Sequence, residues 1–308
     1  MNFDPRECAE KVLNGPLGSV LAEYDRKTKT KKLIGFCLIL IGAGLFCFEL
    51  HFFVPFVVII IGILVVSAAH AGRRAYFRTV IIPELFSEAM PELKYVPGAG
   101  ISRSRFESFE LFGSFDRYSS EDKLSGRIGK TEFTAAEVHI EKKHKSKDKT
   151  YYSTIFRGVV FIADFNKELN HRTVVLPDVA ERCFGKLLGN FFQKMNFMQG
   201  SLVKLENPEF EKVFAVYSEN QIEARYILTP VMMERLLKLR NSKRDNLRLL
   251  FEGNHVVVAF SAPSGWLEPP FFGKLHQTCV LENVLDELLS ALSIVAELDL
   301  NTRIWTKK

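Results

Sequence analysis

The sequence predicts an α+β fold: a cytoplasmic α+β domain, or two, preceded by a two-helix transmembrane hairpin. Two observations carry that expectation. From Leu33 to Ala69 only Glu49 and His51 have a side chain able to hold a charge, and nothing else in the chain is comparably apolar. After that stretch, strand-like runs come first and helix-like stripes follow, in each half. That is the α+β order, not the strand–helix alternation of parallel sheets.

The hairpin is read from lengths and flanks. Leu33–Phe48 is about 16 residues and Phe52–Ala69 about 18, roughly 24 and 27 Å of helix. A bilayer core of about 30 Å asks for about 20 residues. Both spans are slightly short, so Lys31 and Lys32 snorkel at one end and a turn at Glu49-Leu50-His51 sits among headgroups. One bent span would place Glu49 and His51 at its centre, where charge is expensive; a re-entrant loop is the alternative. Pro55 falls in the first turn of the second helix, where its missing N–H costs little. Gly35 and Gly42 share one face of the first helix, and Gly62 can meet them from the second, as small residues do in lipid. Basic residues stand before the run (Arg26, Lys27, Lys29, Lys31, Lys32) and after it (Arg73, Arg74, Arg78), and the turn has none. The positive-inside rule then puts both termini in the cytoplasm, with Lys31, Lys32, Arg73 and Arg74 as membrane-flanking basic residues.

Composition narrows the function classes. Net charge is +5, but it is concentrated at the flanks, so the remainder is near neutral and nucleic acid is a poor partner. Five cysteines (Cys8, Cys37, Cys47, Cys183, Cys279) form no Cys-x-x-Cys and no framework, which fits a reducing compartment.

Five segments follow: a cytoplasmic lead-in over 1–32, the hairpin over 33–69, a membrane-proximal helix and linker over 70–100, and α+β halves over 101–200 and 201–308. In the lead-in, Cys8–Leu13 starts a short helix ended by Gly15-Pro16, and Ala22–Lys32 continues into the first span as a stalk. Helical spacing over 73–89 extends the second span, with a break at Pro83. Leu124–Ile128, Thr131–Lys142 and Thr150–Phe165 are strands, and Thr173–Leu176 is a short edge. A helix covers Val179–Phe197. Asn207-Pro208 opens a short turn before the strand Val213–Tyr217. Ser218 and Gln221 have capping-box spacing for a helix over Glu219–Leu228, and Thr229-Pro230 starts another through Leu239. Leu247–Glu252 and His255–Phe260 read as a hairpin across Gly253-Asn254. Val280–Leu298 is a long amphipathic helix.

The block Phe210–Leu237 (FEKVFAVYSENQIEARYILTPVMMERLL), the run Thr154–Phe165 (TIFRGVVFIADF) and the upstream hairpin resemble a bacterial membrane-protein family known as domain of unknown function 3137. The resemblance covers most of residues 30–300. It implies a bacterial inner-membrane location and no reaction, cofactor or catalytic residue. Gene setting in the family hints at a LemA-type membrane protein as partner.

No catalytic, cofactor or metal set emerges from the residues. Gly126-Arg127-Ile128-Gly129-Lys130-Thr131 has two residues between glycines where a phosphate loop needs four, and a strand follows, so it reads as a turn. His139 and His144 flank a lysine-rich loop without metal-ligand spacing. His51 beside Glu49 reads as interfacial, with a proton relay as the alternative. Glu223 and Arg225 stand two apart and do not face each other on a helix, so ion pairs with other elements are expected, as for Asp164. Arg157-Gly158 marks a bulge or a close approach in a strand. Trp266, Phe271 and Phe272 form the candidate interaction loop: they anchor a partner, lie on the membrane or fold back onto the core. The expectation is a membrane-tethered domain for protein–protein interaction or self-assembly, with a membrane-bound enzyme acting on a lipid or envelope precursor as the alternative.

Overall fold

The computed structural model describes residues 3–46, 53–146, 149–178, 201–242 and 246–300, the side chain of Asn166 excepted. The turn at Glu49–His51, the helix over Val179–Phe197, Cys47 and Cys183 lie outside them. The chain forms two compact units: Met1–Pro91 with Leu267–Leu288, and Glu92–Trp266 with Leu289–Lys308.

Unit 1 is helical. The Asp4 carboxylate accepts the N–H of Arg6 and caps α1 (Pro5–Asn14), which Gly15 ends; Pro16 then opens α2 (Pro16–Leu45). The stalk and the first apolar run are thus one 30-residue helix. Helix α3 (Phe53–Tyr76) runs through a π turn at Phe77–Ile81 into α4 (Ile82–Ala89). The interruption expected at Pro83 takes this form. Pro83 cannot bond the carbonyl of Thr79 and its ring would crowd it, and the widened turn just before it absorbs the mismatch.

Helices α2 and α3 pack antiparallel along a seam of small residues. A Cβ on Gly35 would lie 2.6 Å from Val66 Cγ2, one on Gly42 would lie 2.6 Å from Ile59 Cγ1, and one on Gly62 would lie 2.7 Å from the Gly35 carbonyl oxygen. Only glycine permits that approach. The seam continues below the apolar run through Ala69 and Arg73 on α3 and through Lys32, Thr28 and Asp25 on α2, all buried. Tyr24 and Tyr76 stack at 4.1 Å, and α1 closes against α2 and α4 over Leu21, Phe77, Ile81 and Phe86.

Unit 2 is built on a sheet. Among the described residues its strands are β1 (Lys94–Val96), β2 (Arg117–Ile128), β3 (Thr131–Ser146), β4 (Lys149–Pro177), β5 (Ser201–Leu202), β6 (Phe214–Ser218) and β7 (Arg248–Ser261). All pairings are antiparallel, in the order β1-β2-β3-β4-β6-β5 with β7 also on β4. Strand β4 is the axis. Its first part pairs β3 on one side, its last residues pair β6 there, and β7 follows it along the other side. Val160, Ile162, Val174 and Leu176 join one core cluster with Phe106, Phe112 and Leu250, while the alternate residues Val159, Phe161 and Val175 are equally buried. A strand covered on both faces reads as a continuous apolar run.

The helices of this half are α5 (Arg103–Ser108), α6 (Pro208–Glu211), α7 (Gln221–Ile227), α8 (Pro230–Asn241) and α9 (Thr278–Glu297). The first part of α9, to Leu288, belongs to unit 1 and the rest to unit 2. The Asn207 side chain caps α6 and Thr229 caps α8, as their sequence signals predict.

Several expectations are corrected. Gly253-Asn254 is no hairpin turn: β7 runs through it, because both apolar halves pair with β4 rather than with each other. Gly253 has φ +57° and faces Leu169 where β4 carries extra residues, so it marks an irregularity within a strand. Thr173–Leu176 is not an edge, since β6 and β7 flank it. Ser218 does not cap α7; Asn220 does, and the Ser218 hydroxyl instead donates to the Arg172 carbonyl oxygen at 2.9 Å. Helix α5 was not foreseen. Residues from both 101–200 and 201–308 supply strands to one sheet.

Candidate functional site

The two sets of residues singled out in the sequence meet in unit 1. The segment following Trp266 lies on the middle of α2 and the basic end of α3. Lys32 Nζ donates to the Phe271 carbonyl oxygen at 2.6 Å and sits 4.5 Å above that ring. Arg73 Nη1 donates to the Gly273 carbonyl oxygen at 2.8 Å. The Asp25 carboxylate accepts the N–H groups of Leu275 and His276 at 2.9 and 2.8 Å. Glu268 bridges Arg74 and Arg78, the latter at 2.9 Å. The imidazole of His70 packs on Phe271 at 4.5 Å.

Helix periodicity explains the gathering. His70, Arg74 and Arg78 follow one another at intervals of four, as neighbours on one face of the helix, while Arg73 lies on the seam with Ala69. Lys32 is 8 % exposed and Arg73 3 %. Such groups are seldom buried without partners, and here backbone carbonyls of the loop receive them. Burial, and after it the neighbouring Arg73 charge, pull the Lys32 ammonium below its usual range. Lys31 is exposed. A cavity of about 410 Å³ opens on this face, lined by Val66, Ser67, His70, Arg74, Arg78 and Phe271, among others.

The candidate interaction loop divides. Trp266 is 3 % exposed, and its backbone N–H donates to Glu137 Oε2 at 2.8 Å, so it is folded into unit 2 and presents no aromatic face outward. Phe272 is 70 % exposed and stands edge-on to Phe271. Sequence reasoning missed Asp25 and Glu268, the carboxylates that tie the loop down. Glu268 offered a signal in lying between Trp266 and Phe271, but its arginine partners are 190 residues away or more.

The other candidates are structural. Glu223 accepts the N–H groups of Asn170 and His171 at 2.9 and 2.8 Å, and Arg225 donates to the Lys204 carbonyl oxygen at 3.3 Å; the two do not pair with each other. His139 and His144 bond across the strand pair to Thr154 and Ser153. Gly129, at φ +60°, turns β2 into β3 where the phosphate-loop fragment lies. Gly158 has no room for a side chain because a Cβ would lie 2.0 Å from the Phe260 carbonyl oxygen of β7, and the neighbouring strand is what approaches. Arg248 donates to the Leu111 carbonyl oxygen at 2.7 Å and lies over Phe112; burial pushes its guanidinium down to about 10. A second cavity, about 390 Å³ and lined by Arg103, Asp116, Arg117, Tyr118, His139 and Glu141 among others, has its charges matched: Arg117 faces Glu141 at 3.7 Å and Asp116 accepts the Lys143 N–H.

A helical unit and an antiparallel sheet with helices make this an α+β protein, and among the described residues one helix, Phe53–Ala89, is long and apolar enough to cross a membrane. Residues 154–300 match the family described as protein of unknown function (DUF3137), in agreement with the resemblance read from Phe210–Leu237 and Thr154–Phe165. No curated protein matches it. Among solved structures it is similar to the mycobacterial trehalose monomycolate transport factor A, TtfA, at 12 % identity and a TM-score of 0.39, covering 77 % of this chain and 97 % of that one. A likeness of that size supports no inference about this chain.

Proposed function

We propose that this is a bacterial inner-membrane protein, anchored through α2 and α3 with both termini cytoplasmic, whose unit 2 mediates protein–protein interaction or self-assembly. The observation that carries the anchor is the direction of the apolar side chains. Leu33, Ile34, Leu40 and Ile41 on α2, and Phe53, Phe56, Ile60 and Leu64 on α3, all face outward while the glycines face the seam. A water-soluble helix pair puts those residues the other way round. The mechanism is confinement: tethering raises the effective concentration of unit 2 toward other membrane proteins. On unit 2, Ile222 and Tyr226 lie exposed one turn apart on α7, and Gln221 of the same helix bonds Ser201 of the short strand β5. An exposed apolar helix face beside β5, the last strand in the sheet order among the described residues, suits a protein partner or a second copy of the chain.

Native mass spectrometry of the detergent-extracted chain tests the assembly. A homo-oligomer or a stoichiometric second protein, lost in the Ile222→Asp variant, is expected. A monomer at every concentration, with no second protein, overturns the assembly reading.

A further inference from the structure

Phe272 is held outward by the loop that carries it. The carbonyls on either side of it are both engaged by buried cations: Lys32 donates to the Phe271 oxygen and Arg73 to the Gly273 oxygen. Just beyond, Asp25 accepts the N–H groups of Leu275 and His276. With the backbone fixed on both sides, the Phe272 ring projects from unit 1, edge-on to Phe271, and both rings are exposed. The register of the helix pair sets their level. Gly35 approaches Val66 and Gly42 approaches Ile59, so Lys32 on α2 lies level with Ala69 and His70 on α3. Phe271 touches that level from both sides, 4.5 Å from Lys32 Nζ and 4.5 Å from the His70 ring. The outward apolar band starts at once beyond it on α2, with Leu33 and Ile34, and less than two turns away on α3, with Leu64 and Ile63. The rings therefore continue the band at its polar end. Leu33–Phe48 falls roughly 6 Å short of a bilayer core of about 30 Å, and aromatic side chains suit the margin where hydrocarbon meets headgroups.

We propose that Phe271 and Phe272 seat in the interfacial layer of the bilayer, at the level of the glycerol and headgroups, as a membrane contact made by a segment some 200 residues after the anchor helices. The assignment rests on reading α2 and α3 as the membrane anchor. Lipid is the occupant because the rings and the exposed apolar band are continuous: the medium that covers Leu33 and Ile34 also reaches Phe271 and Phe272. Lys32 and Arg73 are positioning residues, since they hold the loop backbone and leave the rings to make the contact.

The test uses the full chain reconstituted into phosphatidylcholine vesicles whose acyl chains carry bromine either near the carbonyl end or near the methyl end. Phe272→Trp and Leu40→Trp are compared through the emission each adds to that of the two native tryptophans. Both side chains are exposed, so neither substitution disturbs packing. The emission added by Phe272→Trp is expected at shorter wavelength than that of a tryptophan in water, and shallow bromines quench it roughly twofold more than deep ones. Leu40→Trp, about 12 Å further along α2, shows the reverse order. If Leu40→Trp is quenched and Phe272→Trp is not, the loop lies in water or against protein; the proposal is overturned and the anchor stands. Quenching of Phe272→Trp by deep bromines as strongly as by shallow ones overturns the interfacial level. If neither variant is quenched, the anchor reading fails and takes the proposal with it.

Discussion

Phe53 and Leu64 on α3 are 78 % and 61 % exposed, whereas Phe161 and Val159 on β4 are fully buried, although both stretches read as nearly unbroken apolar sequence. The difference lies in what each element has to cover. Strand β4 has β3 or β6 on one side, β7 on the other, and side chains packed above and below. Along their apolar runs the described parts of helices α2 and α3 pack on each other, and they meet through glycines rather than through their large side chains. The bulky residues of this helix pair therefore face outward, an arrangement that suits lipid better than water. Hydrophobicity states that a residue avoids water; the position of the small residues states which way it turns.

Phe161→Ala against Leu64→Ala is the strongest way to break this contrast. In the detergent-solubilised chain, Phe161→Ala costs about 3–5 kcal/mol of unit 2 stability, and Leu64→Ala stays within about 0.5 kcal/mol. Denaturant titration followed by tryptophan emission measures both, and similar losses would place Leu64 in a core. Gly62→Leu comes next. It drives a side chain into the Gly35 carbonyl and costs about 1–3 kcal/mol of helix pairing. Thermal unfolding of the detergent-solubilised chain followed by helical circular dichroism should shift to lower temperature in this variant, and an unchanged transition would mean that the seam is not close-packed. The smallest effect sharpens the unit 2 side. The exposed Asp116 carboxylate is held below its ordinary range, first by the Lys143 N–H and then by Lys142. With the folded pKa depressed, its contribution is present above the unfolded value, near 3.9, and is lost as pH falls through the folded one. Asp116→Asn should flatten the acid limb of the stability profile slightly between pH 5 and pH 2; an identical limb removes Asp116 from the account.

Local signals were read well. Asn207, Thr229 and Gly15 mark helix ends by side-chain and backbone chemistry confined to a few residues, and the structure places the ends there. The amphipathic stripe of α9 was legible because its period is regular. Failures came where pairing is distant. Gly253-Asn254 has the chemistry of a tight turn, but β4, about ninety residues earlier, supplies a better partner for both flanking runs. Thr173–Leu176 looked like an edge because nothing near it in sequence pairs with it. The basic flank and the aromatic loop were each visible, yet their meeting was not, since Asp25 and the N–H groups of Leu275 and His276 are some 250 residues apart.

That separation has a consequence for how the chain is made. The long β4 waits for β7, and the basic parts of α2 and α3 wait for Phe271, Gly273 and Leu275, all far later in the order of synthesis. Neither unit can close while it is being synthesised, and contacts of such range form slowly. A nascent chain stopped before residue 249 would carry Lys32, Arg73 and Asp25 with no loop to receive them, and a strand with one flank bare. Synthesis of β7 and of the segment from Phe271 to Leu275 is thus the event that licenses both units to fold, and a product truncated before them is marked for aggregation or degradation by the surfaces it leaves open.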